Sequence, residues 1–415
     1  MSATAPLRYR GFRYLLAGRA VNALGNAFAP IALAFAVLDL TGSATDLGFV
    51  VGARTVVNVA FLLFGGVLAD RMPKSVLMIG SSAAAALTQA AVAGLVLTHT
   101  ATIPLLIVLE ATNGMVAALA QPASASVLPQ TVPVDVRQQA NALVRIFLNG
   151  AAILGAPAAG IVVAAVGPGW GIAVDAATFA VSALCFAGLG VAIRAASKTA
   201  APERPNVFAD LRTGWSEFRS RTWLWVIVAG AALVNMAWGG GFLVLGPVVA
   251  DETFGRRAWG FVLAAQTAGM IVGGLVAMRL RVRRLLFFGT VCLLPFAIPL
   301  FLLGLYPHVW LLIAGGLVAG LGLEQFSVAW DTTMQEHVPP EKLARVYSYD
   351  MVGSFVALPV GEMTAGPIAQ VVGAKAALIG AGVLMMVSLA AMLSSRDVRT
   401  LRHKLPERTV EESFA

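Results

Sequence analysis

The chain alternates between long apolar runs and short polar breaks. Twelve runs predict helices at about 14–39, 46–69, 74–97, 103–127, 138–165, 170–192, 223–250, 257–278, 284–305, 309–331, 343–371 and 374–394. Each matches the roughly 20 residues that carry an α-helix across a hydrocarbon layer of about 30 Å. Hydrocarbon offers no partner to an open backbone polar group, and the runs are about twice as long as a barrel strand. The expected fold is therefore all-α and membrane-embedded, with twelve spans.

The polar breaks set topology. Of the 29 Lys and Arg, 23 fall on the side of the N-terminus. Arg256, Arg257 and Lys375 fall on the other side, and Arg19, Arg54 and Arg145 lie inside spans. That bias predicts both termini in the cytoplasm. Arg8, Arg10 and Arg13 before an apolar run imitate a signal peptide, but the run reaches Leu38 and passes straight into the second span. It reads as an uncleaved first helix. The longest polar stretch separates six spans from six. Inside it, Phe208, Leu211, Trp215 and Phe218 form the apolar stripe of an interfacial helix, with Glu217 and Arg221 at i,i+4. The expected organisation is a six-helix bundle over 1–193, a linker with that amphipathic helix over 194–222, a second bundle over 223–395 and a cytoplasmic tail over 396–415. The halves repeat weakly. Gly65-Gly66, Ala69 and Arg71 recur as Gly273-Gly274, Ala277 and Arg279, and Val132-Pro133 and Asp135 recur as Val338-Pro339 and Glu341. Two registers within two residues of each other argue for pseudo-symmetric six-helix halves, a duplication carriers use for alternating access.

Composition narrows the function. The chain is 58% hydrophobic and 12% charged, against about 25% charged for soluble domains. The net charge of +8 does not point to nucleic acid, because the basic residues punctuate the spans and form no patch. Cys185 and Cys292 sit in separate spans, and His99, His308, His337 and His403 fall in separate turns and the tail, so neither a metal nor a cofactor is expected. The sequence contains no Gly-x-x-x-x-Gly-Lys-Ser/Thr loop, no His-Glu-x-x-His and no Gly-x-Ser-x-Gly. ATP-driven transport and enzymatic activity are therefore not expected. A membrane-embedded enzyme or a non-transporting receptor is the alternative from another class.

The turn Gly66-Val67-Leu68-Ala69-Asp70-Arg71-Met72-Pro73-Lys74 resembles the loop between the second and third helices of the major facilitator superfamily. With twelve spans and a central loop, the resemblance covers about 8–395. It implies the major facilitator fold, with Gly66 allowing close packing and Asp70 and Arg71 helping to hold the cytoplasmic side closed. Pro73 replaces the usual glycine, and Met278 stands where the second copy would carry its aspartate. In the fifth span, Gly155-Ala156-Pro157-Ala158-Ala159-Gly160 resembles the Gly-Pro motif of facilitator antiporters, which marks Gly155, Pro157 and Gly160 as gating candidates. Gly18-Arg19 and Leu24-Gly25-Asn26 resemble the opening of bacterial drug and siderophore exporters. Glu110 stands where the fourth helix usually carries an arginine, so that arginine's proton-linked role does not carry over. The resemblance implies a monomeric secondary transporter in a bacterial cytoplasmic membrane. It would export an amphipathic organic compound by proton antiport through rocking alternating access, with proton-coupled uptake as the alternative. Its partners would be the small-molecule substrate, protons and lipid, not nucleic acid.

Ionisable residues inside spans cost several kcal/mol unless paired or wetted. Arg54 lies roughly 12 Å from the outer end of the second helix and Glu362 roughly 14 Å from that of the eleventh. In the facilitator fold those helices face each other across the halves. This implies an outer latch, Arg54–Glu362, alternating with an inner latch of Asp70 with Arg345 and the N-terminal end of the eleventh helix. The competing pairing is Arg54–Glu110, a static bridge within the first half. Arg19 and Asp331 are expected to snorkel or to meet water in a structural role, and Asp39 and Asp46 to be solvated. Glu110, Asp175, Glu324 and Glu362 are the proton-coupling candidates, with a packing role as the competing reading for Asp175 and Glu324. Asn22, Asn26, Asn113, Asn149, Asn235, Trp238 and Gln325 are the cavity candidates, and Gly239-Gly240-Gly241 is expected to loosen the seventh helix. Such sparse polarity suits an amphipathic cargo better than a sugar or a multiply charged ion.

Overall fold

The protein is described by a computed structural model. It covers residues 4–196, 215–216, 218–280 and 282–403, with the backbone alone at 63–71, 121–123, 125–126, 134, 138, 192–196, 340–341 and 344–345. Among the described residues every regular element is helical.

The first half contains α1 (Arg10–Thr41), α2 (Ala44–Arg71), α3 (Lys74–Leu97), α4 (Ile103–Val127), α5 (Arg137–Val166) and α6 (Pro168–Ala196). The second contains α7 (Thr222–Glu252), α8 (Arg256–Ala277), α9 (Leu285–Leu305), α10 (Val309–His337), α11 (Pro340–Phe355 and Leu358–Val372) and α12 (Ala374–Ser394). All twelve are long and apolar enough to cross a bilayer. Arg10 and Ser394 therefore lie on one face, called the near face below; the opposite face is the far face.

The duplication is visible in the turns. Gly167, between α5 and α6, has φ +92°, and Gly373, between α11 and α12, has φ +87°. Each donates its N–H to the carbonyl four residues back, on Val163 and Ala369. A positive φ of this kind favours glycine, and the same cap closes the same helix in both halves. The two glycines lie 206 residues apart, the spacing of the Val132-Pro133 repeat.

Within the first half α1 packs on α5 and α6, and α4 packs on α2 and α3; within the second α8 packs on α10, and α7 on α11 and α12. The halves meet through α2 with α11 and α5 with α8. Missing side chains permit these crossings. A Cβ on Gly48 would stand 2.2 Å from the Glu362 carbonyl oxygen, one on Gly366 2.3 Å from Thr45 Cα, and one on Gly260 2.4 Å from the Ala156 carbonyl oxygen. Small residues let helix backbones touch, which is the main source of attraction between helices in lipid. All three contacts lie toward the far face, so the halves are clamped there.

Two helices are irregular at one level. α7 forms a π-helix over Gly239–Leu245, and α11 breaks between Phe355 and Leu358. A Cβ on Gly361 would lie 1.9 Å from the Met236 carbonyl oxygen, so two bare backbones cross there. The glycine run loosens α7 into a π-helix. The described part of the expected linker stripe covers the near end of α11. Trp215 and Phe218 stack at 5.7 Å, and both pack on Tyr349, at 5.5 and 6.0 Å. Phe208, Leu211 and Glu217 lie outside the described residues.

Candidate functional site

A cavity of about 640 Å³ opens in the first half. Arg19, Asn22 and Asn26 of α1 line it, together with Arg54 and Asn58 of α2 and Asn113 of α4. The α1 residues recur at i, i+3 and i+7, one helical face. The adjoining face, about a quarter-turn round the helix, carries glycine. A Cβ on Gly18 would strike the Phe186 ring at 2.5 Å, and one on Gly25 the Thr178 hydroxyl at 1.9 Å. The Ser182 hydroxyl donates to the Gly18 carbonyl at 2.9 Å. Tight packing of that face on α6 turns the amide face toward the cavity.

A second cavity of about 440 Å³ lies in the other half, lined by Asn235, Trp238, Phe296, Phe326, Trp330 and Asp350. Trp238 is stacked between Phe242 at 4.0 Å and Phe296 at 4.1 Å. Asp350 accepts from the Trp330 indole at 2.9 Å and the Ser354 hydroxyl at 3.0 Å. Phe355, beside the break in α11, lines both cavities.

The charges sort differently from the expected latch. Arg54 lies 3.6 Å from Glu110, and Gln89 donates to the same carboxylate at 3.2 Å. Glu110 is 1% exposed. Arg54 and Glu362 line one cavity of about 260 Å³ between the halves, but Glu362 Oε2 has no hydrogen-bond partner. The Arg54–Glu362 bridge is therefore not formed in this conformation. Glu110 is the partner because α2 packs on α4 within its own half. Asp175 of α6 is fully buried against Gly25, and neither of its carboxylate oxygens has a hydrogen-bond partner. Arg54 is within electrostatic reach of both Asp175 and Glu362.

The bond that joins the halves at the far face is one the sequence reading missed. Arg256, at the start of α8, donates to both carboxylate oxygens of Asp39 at the end of α1, at 2.9 and 2.5 Å. It also binds Asp251 at 2.6 and 3.0 Å and lies 4.8 Å over the Phe35 ring. Asp39 is exposed, as expected of a solvated residue, and is bridged as well. It is bridged because α1 and α8 converge at their far ends, which local sequence does not report. Only the opposite charges at two outer helix ends hinted at it.

The remaining candidates divide. Gly155 packs on Ala27 and Leu24 of α1, while Gly160 meets the Arg256 and Arg257 carbonyls and Pro157 meets Gly260, so the motif sits beside the Asp39–Arg256 bridge. Gln325 lines neither of these cavities: it is buried and donates its amide to the Gly273 carbonyl at 2.5 Å, bonding α10 to α8. Asn149 is exposed on α5 and lines neither cavity. Glu324 is half-buried beside Gly274, within electrostatic reach of Arg145. Arg19 faces the first cavity rather than the near end of α1. Asp331 faces the second cavity and accepts from the Tyr347 hydroxyl at 3.1 Å. The side chains of Gly66, Asp70, Arg71 and Arg345 lie outside those described, so the expected inner latch has no described geometry. Among the described residues, no three His, Cys, Asp or Glu gather as a metal site requires.

Two repeated six-helix bundles, clamped on one face around a polar cavity, define a membrane carrier. The chain belongs to the Major Facilitator Superfamily, whose sequence model matches residues 15–361 and again 242–415. No curated protein matches it. Solved structures of the same fold include the nucleoside transporter NupG, at TM-score 0.72 and 12% identity, covering 92% of this chain and 99% of that one. A bacterial homologue of the iron transporter ferroportin, inward-facing, aligns at 0.70 and 16%, covering 93% and 99%. A bacterial homologue of the human lysosomal transporter Spinster, inward-facing and unoccupied, aligns at 0.68 and 14%, covering 92% and 95%. At these identities the likeness is one of fold.

Proposed function

We propose that this transporter exports an amphipathic, drug- or siderophore-like organic compound from the bacterial cytoplasm in exchange for protons, by rocking one half against the other. The observation that carries the reading is the pairing of a far-face bridge, Asp39–Arg256, with polar cavities on the near side of the clamp. With the near face cytoplasmic, as the Lys and Arg bias places it, this is the conformation in which an exporter loads. Buried Asp175, with neither carboxylate oxygen hydrogen-bonded, and buried Glu362, with one oxygen unbonded, supply carboxyls able to carry a proton between conformations. The Gly155–Gly160 motif adjoins the bridge that must open.

Proteoliposomes under an imposed pH gradient test this. Antiport drives a compound toward the acidic compartment, above the level in protein-free vesicles. Accumulation on the alkaline side would overturn antiport in favour of uptake. No gradient-dependent flux of any compound in a panel of amphipathic drugs and siderophores would overturn both.

A further inference from the structure

The first cavity has an unbalanced charge. Arg19 and Arg54 both line it, and the described residues around it include no carboxylate. Arg54 is answered from behind by Glu110, whose side chain is 1% exposed against 26% for Arg54. Arg19 is not answered: it makes no hydrogen bond or ion pair among the described residues, and it stands nine residues into α1, roughly 14 Å from its start. A guanidinium carries five donors and stays charged. At that depth an uncompensated one is costly and marks a functional site. Two turns of amides continue its face. Asn26 donates to Asn22 at 3.2 Å, which leaves the Asn22 amide donors turned to the same space.

The far side of the binding space is of the opposite character. Beyond Phe355 lie Trp238, Phe326 and Trp330. The two acids there are already engaged, Asp350 by Trp330 and Ser354, and Asp331 by Tyr347. The space thus has a donor-rich cationic end in one half and, in the other, an aromatic end whose two acids accept hydrogen bonds from neighbouring side chains. At about 640 Å³ the cationic end is the size of a small-molecule site.

We propose that Arg19, with Asn22 and Asn26, forms an anion subsite, and that the cargo is a singly charged organic anion. Its carboxylate, sulfonate or phosphate ester sits on Arg19, and its aromatic body lies across Phe355 toward Trp238 and Trp330. The proposal rests on the cavity being the cargo site, but not on the direction of transport or on proton coupling.

The test uses the whole protein in phosphatidylcholine nanodiscs and two probes of one shape, 1-anilinonaphthalene-8-sulfonate and N-phenyl-1-naphthylamine, which lacks the sulfonate. Saturable binding is read by energy transfer from tryptophan, against empty discs. The sulfonate is expected to bind more tightly than the neutral probe. Arg19→Gln should weaken the sulfonate about tenfold and leave the neutral probe unchanged, the loss of one charged hydrogen-bond donor. Arg19→Lys should keep most of the selectivity, which separates lost charge from lost folding. Equal binding of the two probes, no saturable sulfonate binding, or an Arg19→Gln change common to both probes would each overturn the subsite. Discs containing phosphatidylglycerol distinguish cargo from a lipid headgroup: unchanged sulfonate binding is expected, and its loss would assign Arg19 to lipid and overturn the cargo reading. Charge-selective binding without gradient-driven flux would leave the subsite standing and remove the export reading; flux of cationic compounds alone would do the reverse.

Discussion

Arg54 is one guanidinium facing three buried carboxyls. Glu110 holds it at 3.6 Å, while Asp175 and Glu362 are each 1% exposed or less and each leave at least one oxygen without a partner. One positive charge balances one anion, so the remaining two are the proposed proton sites. Removing Arg54 strands Glu110. Arg54→Gln is therefore expected to destabilise the protein by about 2 kcal/mol, less than for a fully buried pair because Arg54 reaches the cavity. Adding Glu110→Gln should recover most of that loss; thermal unfolding in detergent measures both. Asp175→Asn should abolish gradient-driven accumulation while preserving exchange of labelled for unlabelled cargo, which needs no net proton movement; loss of both activities would make Asp175 a packing residue. Depth was legible in the sequence: counting from the helix ends put Arg54 and Glu362 at one level, and they line one cavity. Rotation about the helix axis was not. Whether Arg54 points to α4 or α11 depends on packing between elements, and so does the fate of Asp39.

At the level of elements, the far clamp is built from glycines at crossings. Hydropathy marks where a helix starts and stops, so the twelve spans were readable to within about six residues, the largest difference being the end of α10 at His337 rather than 331. It says nothing of which glycine meets which backbone. Gly260 packs on Ala156, and Gly48 on Glu362, across a boundary that no local pattern marks. The Gly239-Gly240-Gly241 run did announce a weak point in α7, because three residues without Cβ lose helical preference; that it would become a π-helix opposite a break in α11 needed the partner helix. Gly260→Val should push α5 and α8 apart at the far face and depopulate the far-closed state. The expected readout is faster amide hydrogen exchange at the start of α8 and the end of α1, with the near ends unaffected. Uniform acceleration along both helices would indicate general loss of stability instead.

For the whole molecule, the proposed cycle has two halves exchange one closure for another. The closure seen is at the far face, where Arg256 binds Asp39 of the other half and Asp251 of its own. That network is partly exposed, with side-chain exposures of 22% for Arg256 and 42% for Asp39. Its contribution is modest, about 1 kcal/mol, as the proposed cycle requires of a latch. Removing it should shift the far-closed to far-open ratio by about five- to tenfold. The most direct measurement is pulsed electron resonance on two label pairs, in a background where Cys185→Ala and Cys292→Ala remove the native thiols. Leu40→Cys with Thr253→Cys spans the far face, and Gln130→Cys with Gln335→Cys spans the near face. The account predicts a predominantly short far distance with a long near distance. It predicts that Arg256→Gln adds a second population in which the far distance lengthens and the near distance shortens together. A far distance unmoved by Arg256→Gln, or one that lengthens while the near distance stays fixed, would contradict alternating closure of the two halves.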